Sequence, residues 1–299
     1  MSLRLVVSGS FRSGTTYLWE QFRENNPDCV SLYEPCHEEL PWKIDQYKYE
    51  YESLSGDTAR LEKSVWHEYV DYNLQSLIRS AHPHIGEVFP KSFDSIERYI
   101  ELLETHISSK NLIIKTNRWL MHLGDIHRSF NAKLCHIIRN PFAVLNSMTR
   151  NDPPKGIPSL IADRFGWRHD VFYLKQTEAW LRLRYYGINW DRTLAERLSN
   201  LINRDAVFLF CWIKMNLKAL RDVRASNGIV LCYETLKHQN TLEKECMEIL
   251  GFNLGRMEDL RSPDKPLFTE SELEHARKLA MKTASLRDFE ELLGLVQPQ

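Results

Sequence analysis

Nine residues near the amino terminus, Ser8-Gly9-Ser10-Phe11-Arg12-Ser13-Gly14-Thr15-Thr16, restrict the architecture more than any other stretch of this chain. Before them, residues 3–7 form a short apolar run that fits a strand buried on both faces of a parallel sheet. After them, Tyr17, Leu18, Trp19 and Phe22 form an apolar stripe at helical spacing that stops at Asn25-Asn26-Pro27. Strand, glycine-bearing loop and helix in that order match most of a nucleotide phosphate loop, in which successive backbone N–H groups and the positive helix end point at one anion; the same residues equally suit a serine- and glycine-rich turn after a strand with an exposed arginine. Glycine lets the backbone approach closely, and each charge contact contributes roughly 0.3–1 kcal/mol before burial strengthens it.

The alternation of strand and helix continues along the chain. Residues 29–33 read as a second strand leading into Glu34-Pro35, where the proline favours an extended or turning backbone. Residues 111–115 and 133–138 read as central strands separated by a helical segment at 119–130, and residues 228–234 return to a strand. Pro141 sits in the first turn of a helix that continues through Ser147. Further helices are expected at 62–80, 96–108, 177–186 and 194–225, with a mainly helical tail from 241, whereas 42–68 carries few sharp signals. The Pro-, Gly- and charge-rich residues 151–168 suit a long surface loop or lid. The expected fold is α/β: a single domain over 1–299, with a doubly wound, mostly parallel sheet and a P-loop-like nucleotide site.

Composition narrows the partners. Lys+Arg 39 against Asp+Glu 40 leaves a formal net charge of -1, so no global basic field draws the chain onto nucleic acid, and an anion site must be local. The six cysteines lack CxxC pairing and read as reduced core thiols rather than a disulfide framework or zinc site. The first residues enter an apolar run with no basic n-region or cleavage site, and no stretch reaches the ~18 apolar residues of a membrane span. A soluble, cytoplasmic protein is expected, of unknown oligomeric state.

A departure in the loop decides which nucleotide it suits. The Walker pattern places lysine after the second glycine, whereas Thr15 follows Gly14 here, so the usual clamp on β- and γ-phosphates is missing. The nearest cation is Arg12, and this spacing resembles the 5′-phosphosulfate loop of sulfotransferases. Arg139-Asn140-Pro141 followed by Ser147 resembles the family's 3′-phosphate motif, in which an arginine ends one strand and a serine lies on the next helix. An arginine offers a planar fork of donors suited to phosphate. Lys115-Thr116-Asn117 resembles a Lys-Thr-His strand end with asparagine in place of the histidine, and Tyr33-Glu34-Pro35 resembles the Phe-Glu-Pro element of Golgi-type carbohydrate sulfotransferases. Tyr233-Glu234-Thr235-Leu236 resembles a segment that closes the sheet beside the nucleotide. An Arg-Lys-Gly signature is absent near the carboxyl terminus, where Lys282 and Arg287 are weak candidates to replace it.

The resemblance implies transfer of a sulfuryl group from 3′-phosphoadenosine-5′-phosphosulfate (PAPS) to an acceptor hydroxyl, on a carbohydrate or small molecule, leaving 3′,5′-bisphosphoadenosine and requiring no metal. It further implies that Arg12, Ser13, Gly14, Thr15 and Thr16 cradle the 5′-phosphosulfate, that Arg12 and Lys115 stabilise the leaving phosphate, and that Arg139 and Ser147 hold the 3′-phosphate. Asn117 cannot accept a proton near neutrality, so the base must come from elsewhere, and the resemblance of Tyr33-Glu34-Pro35 to the Phe-Glu-Pro element implies Glu34, with His37, His122 and His136 in reserve. The other reading of Glu34 is a solvated loop carboxylate or an ion-pair partner of a nearby cation, and Arg139 and Ser147 have structural readings of their own. Two further functions fit a loop of this kind: a nucleotide kinase with a degenerate phosphate loop, and a catalytically silent nucleotide-binding module.

Overall fold

The computed structural model describes residues 3–10, 12–37, 39–53, 64–82, 92–107, 110–149, 204–236, 241–255, 266–283 and 285–296. The expected lid at 151–168, the helix at 177–186, the first part of the 194–225 helix and Phe11 lie outside them.

Five strands form one parallel sheet in the order β2-β3-β1-β4-β5: β1 Leu3–Gly9, β2 Cys29–Tyr33, β3 Asn111–Thr116, β4 Lys133–Ile138 and β5 Ile229–Cys232. Parallel neighbours need crossover connections, and helices supply them on both faces. On one face Val6, Leu32, Ile114 and Leu134 pack with Ile100 and Leu103 of a helix at Phe93–Ile107 and with Val223 of a long helix at Arg204–Ala225. On the other, Leu5, Val7, Ile113 and Ile137 pack against Leu18, Trp19 and Phe22 of α1 (Thr15–Asn25). Consecutive apolar residues are therefore buried on opposite sides, which is why the strands read as unbroken apolar runs. The α/β class read from the sequence is the one observed.

In chain order the remaining helices are α2 (Leu40–Ser53), α3 (His67–Asp71), α4 (Gln75–Ala81), α5 (the Phe93–Ile107 helix), α6 (Leu123–Phe130), α7 (Pro141–Thr149), α8 (the Arg204–Ala225 helix), α9 (Leu242–Glu245), α10 (Glu270–Lys282) and α11 (Leu286–Val296). The single helix expected at 62–80 is instead α3 and α4, because Asn73 turns left-handed (φ 56°) and asparagine tolerates that conformation. α2 gave no clear signal, yet it buries Leu40, Ile44 and Tyr47 at helical spacing. β5 is shorter than expected: Tyr233 N still donates to Ile138 O (2.9 Å), but the Tyr233 ring packs at Gly14 of the loop after β1 and Glu234 accepts from Asn140 N (2.9 Å) after β4. Among the described residues no helix is long and apolar enough to cross a membrane.

Two polar connections tie the sheet to its helices. Asn140 caps α7, its Oδ1 accepting from the N–H groups of Phe142 (2.9 Å) and Ala143 (3.1 Å), while its Nδ2 donates to Leu267 O (2.6 Å) and Glu272 Oε2 (3.1 Å). Glu272 also closes a capping box with Thr269 at the start of α10, so α7 and α10 share one fastening. Inside the sheet, His136 Nε2 donates to Asn216 Oδ1 (3.1 Å) and Nδ1 accepts from Ser8 Oγ (3.0 Å), which makes His136 a satisfied core histidine.

Burial holds His136 neutral and pushes its pKa from 6.5 to about 4, although the Asn216 contact works the other way. The unfolded chain thus takes up a proton below pH 6.5 that the folded chain refuses until about 4, and stability falls across that window. Acid titration of urea unfolding should show His136→Asn losing less stability than wild type between these limits, by up to about 3 kcal/mol.

Candidate functional site

The carboxyl ends of all five strands converge on the loop after β1. In register, Ser8 lies opposite Thr116 of β3 and His136 of β4, and β1 is where the order of the sheet reverses, the crevice in which open α/β sheets place their ligands. The loop depends on both its glycines. A Cβ on Gly9 would lie 2.5 Å from Ser13 Oγ and 2.7 Å from Ile137 O, and one on Gly14 would lie 2.6 Å from the Tyr233 ring. Gly14 also has φ 93° and starts α1 with no side-chain cap, so the first-turn N–H groups keep their capacity for an anion. Ser10 Oγ and Ser13 Oγ are buried without a hydrogen-bond partner among the described residues, and buried hydroxyls in that state are rare unless something else satisfies them. Arg12, Ser13, Gly14, Thr15 and Thr16 are thus gathered at one helix end, with Arg12 exposed.

Arg139, directly after β4, stacks its guanidinium 4.2 Å from the Tyr233 ring centroid and donates from Nη1 to Arg12 O at 2.8 Å. Its Nε is buried and unpartnered among the described residues. The arginine therefore braces the phosphate loop while keeping a donor in reserve. Ser147 is half-buried, six residues beyond Pro141 on α7, or about 9 Å of helical rise.

On the other side of β1, Tyr33 and Glu34 end β2 beside the end of β3. Glu34 Oε1 accepts from Lys115 Nζ (2.6 Å) and the Asn117 N–H (3.0 Å), and Oε2 accepts from Arg118 Nη1 (2.9 Å). The three ionic side chains are only 2%, 1% and 3% exposed, respectively. Burial alone would raise the proton affinity of Glu34, but the charges of Lys115 and Arg118, the Lys115 hydrogen bond and the proximity of His37 outweigh it and hold the carboxyl below its ordinary range. In this state Glu34 is an ionised partner of two cations, with both oxygens occupied.

This ionic group touches the phosphate loop through two side chains. With its amide oriented to satisfy both ends, Asn117 donates to Gly9 O (3.1 Å) and Thr15 Oγ1 (3.0 Å) and accepts from Lys115 Nζ (3.2 Å). The Tyr33 ring lies 4.3 Å from Lys115 Nζ, and its hydroxyl is 3.3 Å from Thr16 Oγ1. Beyond Tyr33 stand Trp66, in edge contact with it at 5.3 Å, and His37, in edge contact with Trp66 at 5.9 Å.

Strain marks the same place. Among the described residues five non-glycine residues have positive φ, and three are asparagines, which tolerate it; the other two are Arg12 (61°) and Glu34 (47°). Such conformations cost about 1–3 kcal/mol each and persist where surrounding contacts enforce them.

Of the reserve histidines His37 stays beside Glu34, its backbone N–H donating to Glu34 O at 2.8 Å, and the other two lie elsewhere. His37 Nδ1 accepts from Glu39 N at 3.1 Å, His122 Nδ1 lies 3.3 Å from Asp125 Oδ2, and His136 belongs to the core. Lys282 lines a surface hollow with His275 and Lys278, beside α7 through the stacking of His275 on Phe142 (5.3 Å). Sequence reasoning missed Arg118 and the ring of Tyr233 under Arg139. A second cation three residues after Lys115 was the available signal for the first; the second depends on how β5 ends.

No family model matches the chain. A protein of Archaeoglobus fulgidus described as "Uncharacterized protein" is 29% identical over 260 residues, which are 79% of this chain and 80% of that one. Two solved structures align along most of the chain at a TM-score of 0.43 each. They are the "Sulfotransferase Domain from the Curacin Biosynthetic Pathway" (14% identity, 95% of this chain and 98% of that chain) and the "Sulfotransferase Domain from the Synechococcus PCC 7002 Olefin Synthase" (17%, 99% and 95%).

Breaking a buried ion pair strands its partner, whereas removing Glu34 and Lys115 together takes the Lys115 charge away with its partner and leaves only Arg118 stranded. In urea unfolding, Glu34→Gln and Lys115→Met should each destabilise the protein, and the double variant should lose less than their sum by about 1–3 kcal/mol. Strict additivity would show that the contact carries no coupling.

Proposed function

We propose that the chain is a sulfotransferase that moves a sulfuryl group from PAPS to an acceptor hydroxyl. The observation that carries this reading is the set of unsatisfied donors around the crevice: Ser10 Oγ, Ser13 Oγ and Arg139 Nε, beside the uncapped start of α1. Donors arranged in this way suit a nucleotide with anionic groups at both ends, and the absence of a Walker lysine argues against a terminal triphosphate.

In this reading the loop from Ser10 to Thr16 holds the 5′-phosphosulfate through backbone N–H groups and hydroxyls, with Arg12 and Lys115 placed to neutralise charge on the leaving phosphate. Arg139 and Ser147 take the 3′-phosphate. The acceptor oxygen attacks sulfur in line, the sulfur–oxygen bond to the phosphate breaks, and Glu34 takes the acceptor's proton. Because charge moves onto oxygens already faced by cations and dipoles, positioning and electrostatics supply most of the acceleration, as in phosphoryl transfer. The half-buried rings of Tyr33 and Trp66 beside Glu34 support a carbohydrate acceptor, since sugar faces stack on aromatic rings.

Calorimetry tests the donor site. 3′,5′-Bisphosphoadenosine should bind at least about tenfold more tightly than AMP, and Arg139→Ala should erase that preference. Equal affinity for both nucleotides, or tighter binding of Mg-ATP, would remove PAPS as the donor. With labelled PAPS and a panel of acceptors, Arg12→Ala should lower turnover about 10²–10³-fold with an unchanged melting temperature.

A further inference from the structure

Glu34 presents a conflict that the sulfotransfer reading does not by itself resolve. A base must offer a carboxylate oxygen to the acceptor, yet Oε1 is taken by Lys115 Nζ and Asn117 N, and Oε2 by Arg118. Two cations also weaken it as a base. The partners differ, however, in what else they reach. Lys115 is a point charge on a flexible stem, and its Nζ is separated from Thr15, the first residue of α1, by the single amide of Asn117. The Asn117 N–H is fixed by the backbone that follows β3, and Arg118 grips the opposite carboxylate oxygen with a planar guanidinium. The Glu34 N–H is itself bonded to Lys115 O at 2.8 Å, so the carboxylate's backbone is fixed from the same strand.

Resting on the sulfotransfer reading, we propose that Lys115 exchanges Glu34 for the leaving phosphate when the donor binds, and that Arg118 is the positioning residue that holds Glu34 in place during the exchange. With Lys115 withdrawn, Oε1 keeps one N–H and gains an open position facing the phosphate loop, where an acceptor hydroxyl bonds. The acceptor O–H proton passes to Oε1 as the acceptor oxygen–sulfur bond forms. The sulfur–oxygen bond to the phosphate breaks at the same time, leaving its electron pair on the oxygen that Lys115 now faces. The exchange arms the base only when a donor is present.

Lys115 on β3, Arg118 after it, His37 and Cys36 on the loop after β2, and Tyr69 on α3 are the titratable or charged groups that influence Glu34 or feel its charge. Of these, the exchange moves only Lys115. Losing one adjacent cation raises the proton affinity of a buried carboxylate, so donor binding should draw a proton from solvent wherever the pH lies between the free and bound values.

The test is calorimetry of 3′,5′-bisphosphoadenosine binding in buffers of different ionisation heat, across the range where carboxylates titrate. Wild type should take up more protons on binding than Glu34→Gln or, should that fail to fold, Glu34→Ala, variants in which no carboxylate is left to titrate while Lys115 still faces the phosphate, so that protons belonging to the nucleotide cancel in the difference. In labelled-PAPS assays, Arg118→Met should lower kcat while leaving the KM for PAPS unchanged and should move the acidic limb of the rate profile to higher pH, with Arg118→Lys restoring the limb. Binding with the same proton balance in wild type and variants would overturn the exchange while leaving the donor site intact. An unmoved acidic limb in Arg118→Met would overturn the role of Arg118, and no binding of the bisphosphate would remove both the exchange and the sulfotransfer reading.

Discussion

A carboxylate held out of water between two cations fixes the geometry at one side of the crevice. Each ion of the Glu34, Lys115 and Arg118 group loses hydration worth several kcal/mol, and the attraction among them returns little beyond that loss, so the group is a poor device for stability. It is a good device for orientation. Glu34 occupies a left-handed backbone conformation, bonds through its backbone to β3 and through its carboxylate to both sides of Asn117, and thereby fixes the amide that reaches Gly9 and Thr15. The phosphate loop is thus held from β3 by an ionic group and from β4 by Arg139.

The parallel sheet makes this convergence possible. Every strand points its carboxyl end the same way, so Tyr33, Lys115, the loop after β1, Arg139 and Tyr233 line one edge of the sheet although long stretches of chain separate them. β1 lies between β3 and β4, with the connection after β1 running toward β2 and that after β4 toward β5, so the crevice opens beside the end of β1, and Asn140 after β4 joins α7 to α10. Strain gathers at Arg12 and Glu34, the two left-handed residues among those described whose type does not favour this conformation. The contacts that hold them there are the contacts that define the site.

Much of this was legible in the amino-acid order. Apolar runs of four to seven residues, punctuated by glycine and proline, marked the strands, and Ser8 to Thr16 marked the loop, because backbone approach to an anion demands glycine and hydroxyl residues at close spacing. The break between α3 and α4 was harder to read, since one asparagine in a left-handed turn leaves the helical periodicity on both sides intact. α2 was harder still, because its buried positions are interleaved with polar and aromatic residues. Arg118 went unnoticed beside the Lys115-Thr116-Asn117 strand end, although its charge was in plain view.

The chain by itself determined the α/β alternation, the glycine- and hydroxyl-bearing loop after β1 and the positions of its cations, because these follow from local patterns of apolarity, glycine and charge. Only the tertiary structure decided the pairings: Glu34 with Lys115 and Arg118, Arg139 with the Tyr233 ring and the Arg12 carbonyl, and His136 with Ser8 and Asn216. The physical reason is that a charge's behaviour is set by its burial and by the neighbours within a few ångströms, and strand register, not sequence proximity, selects those neighbours.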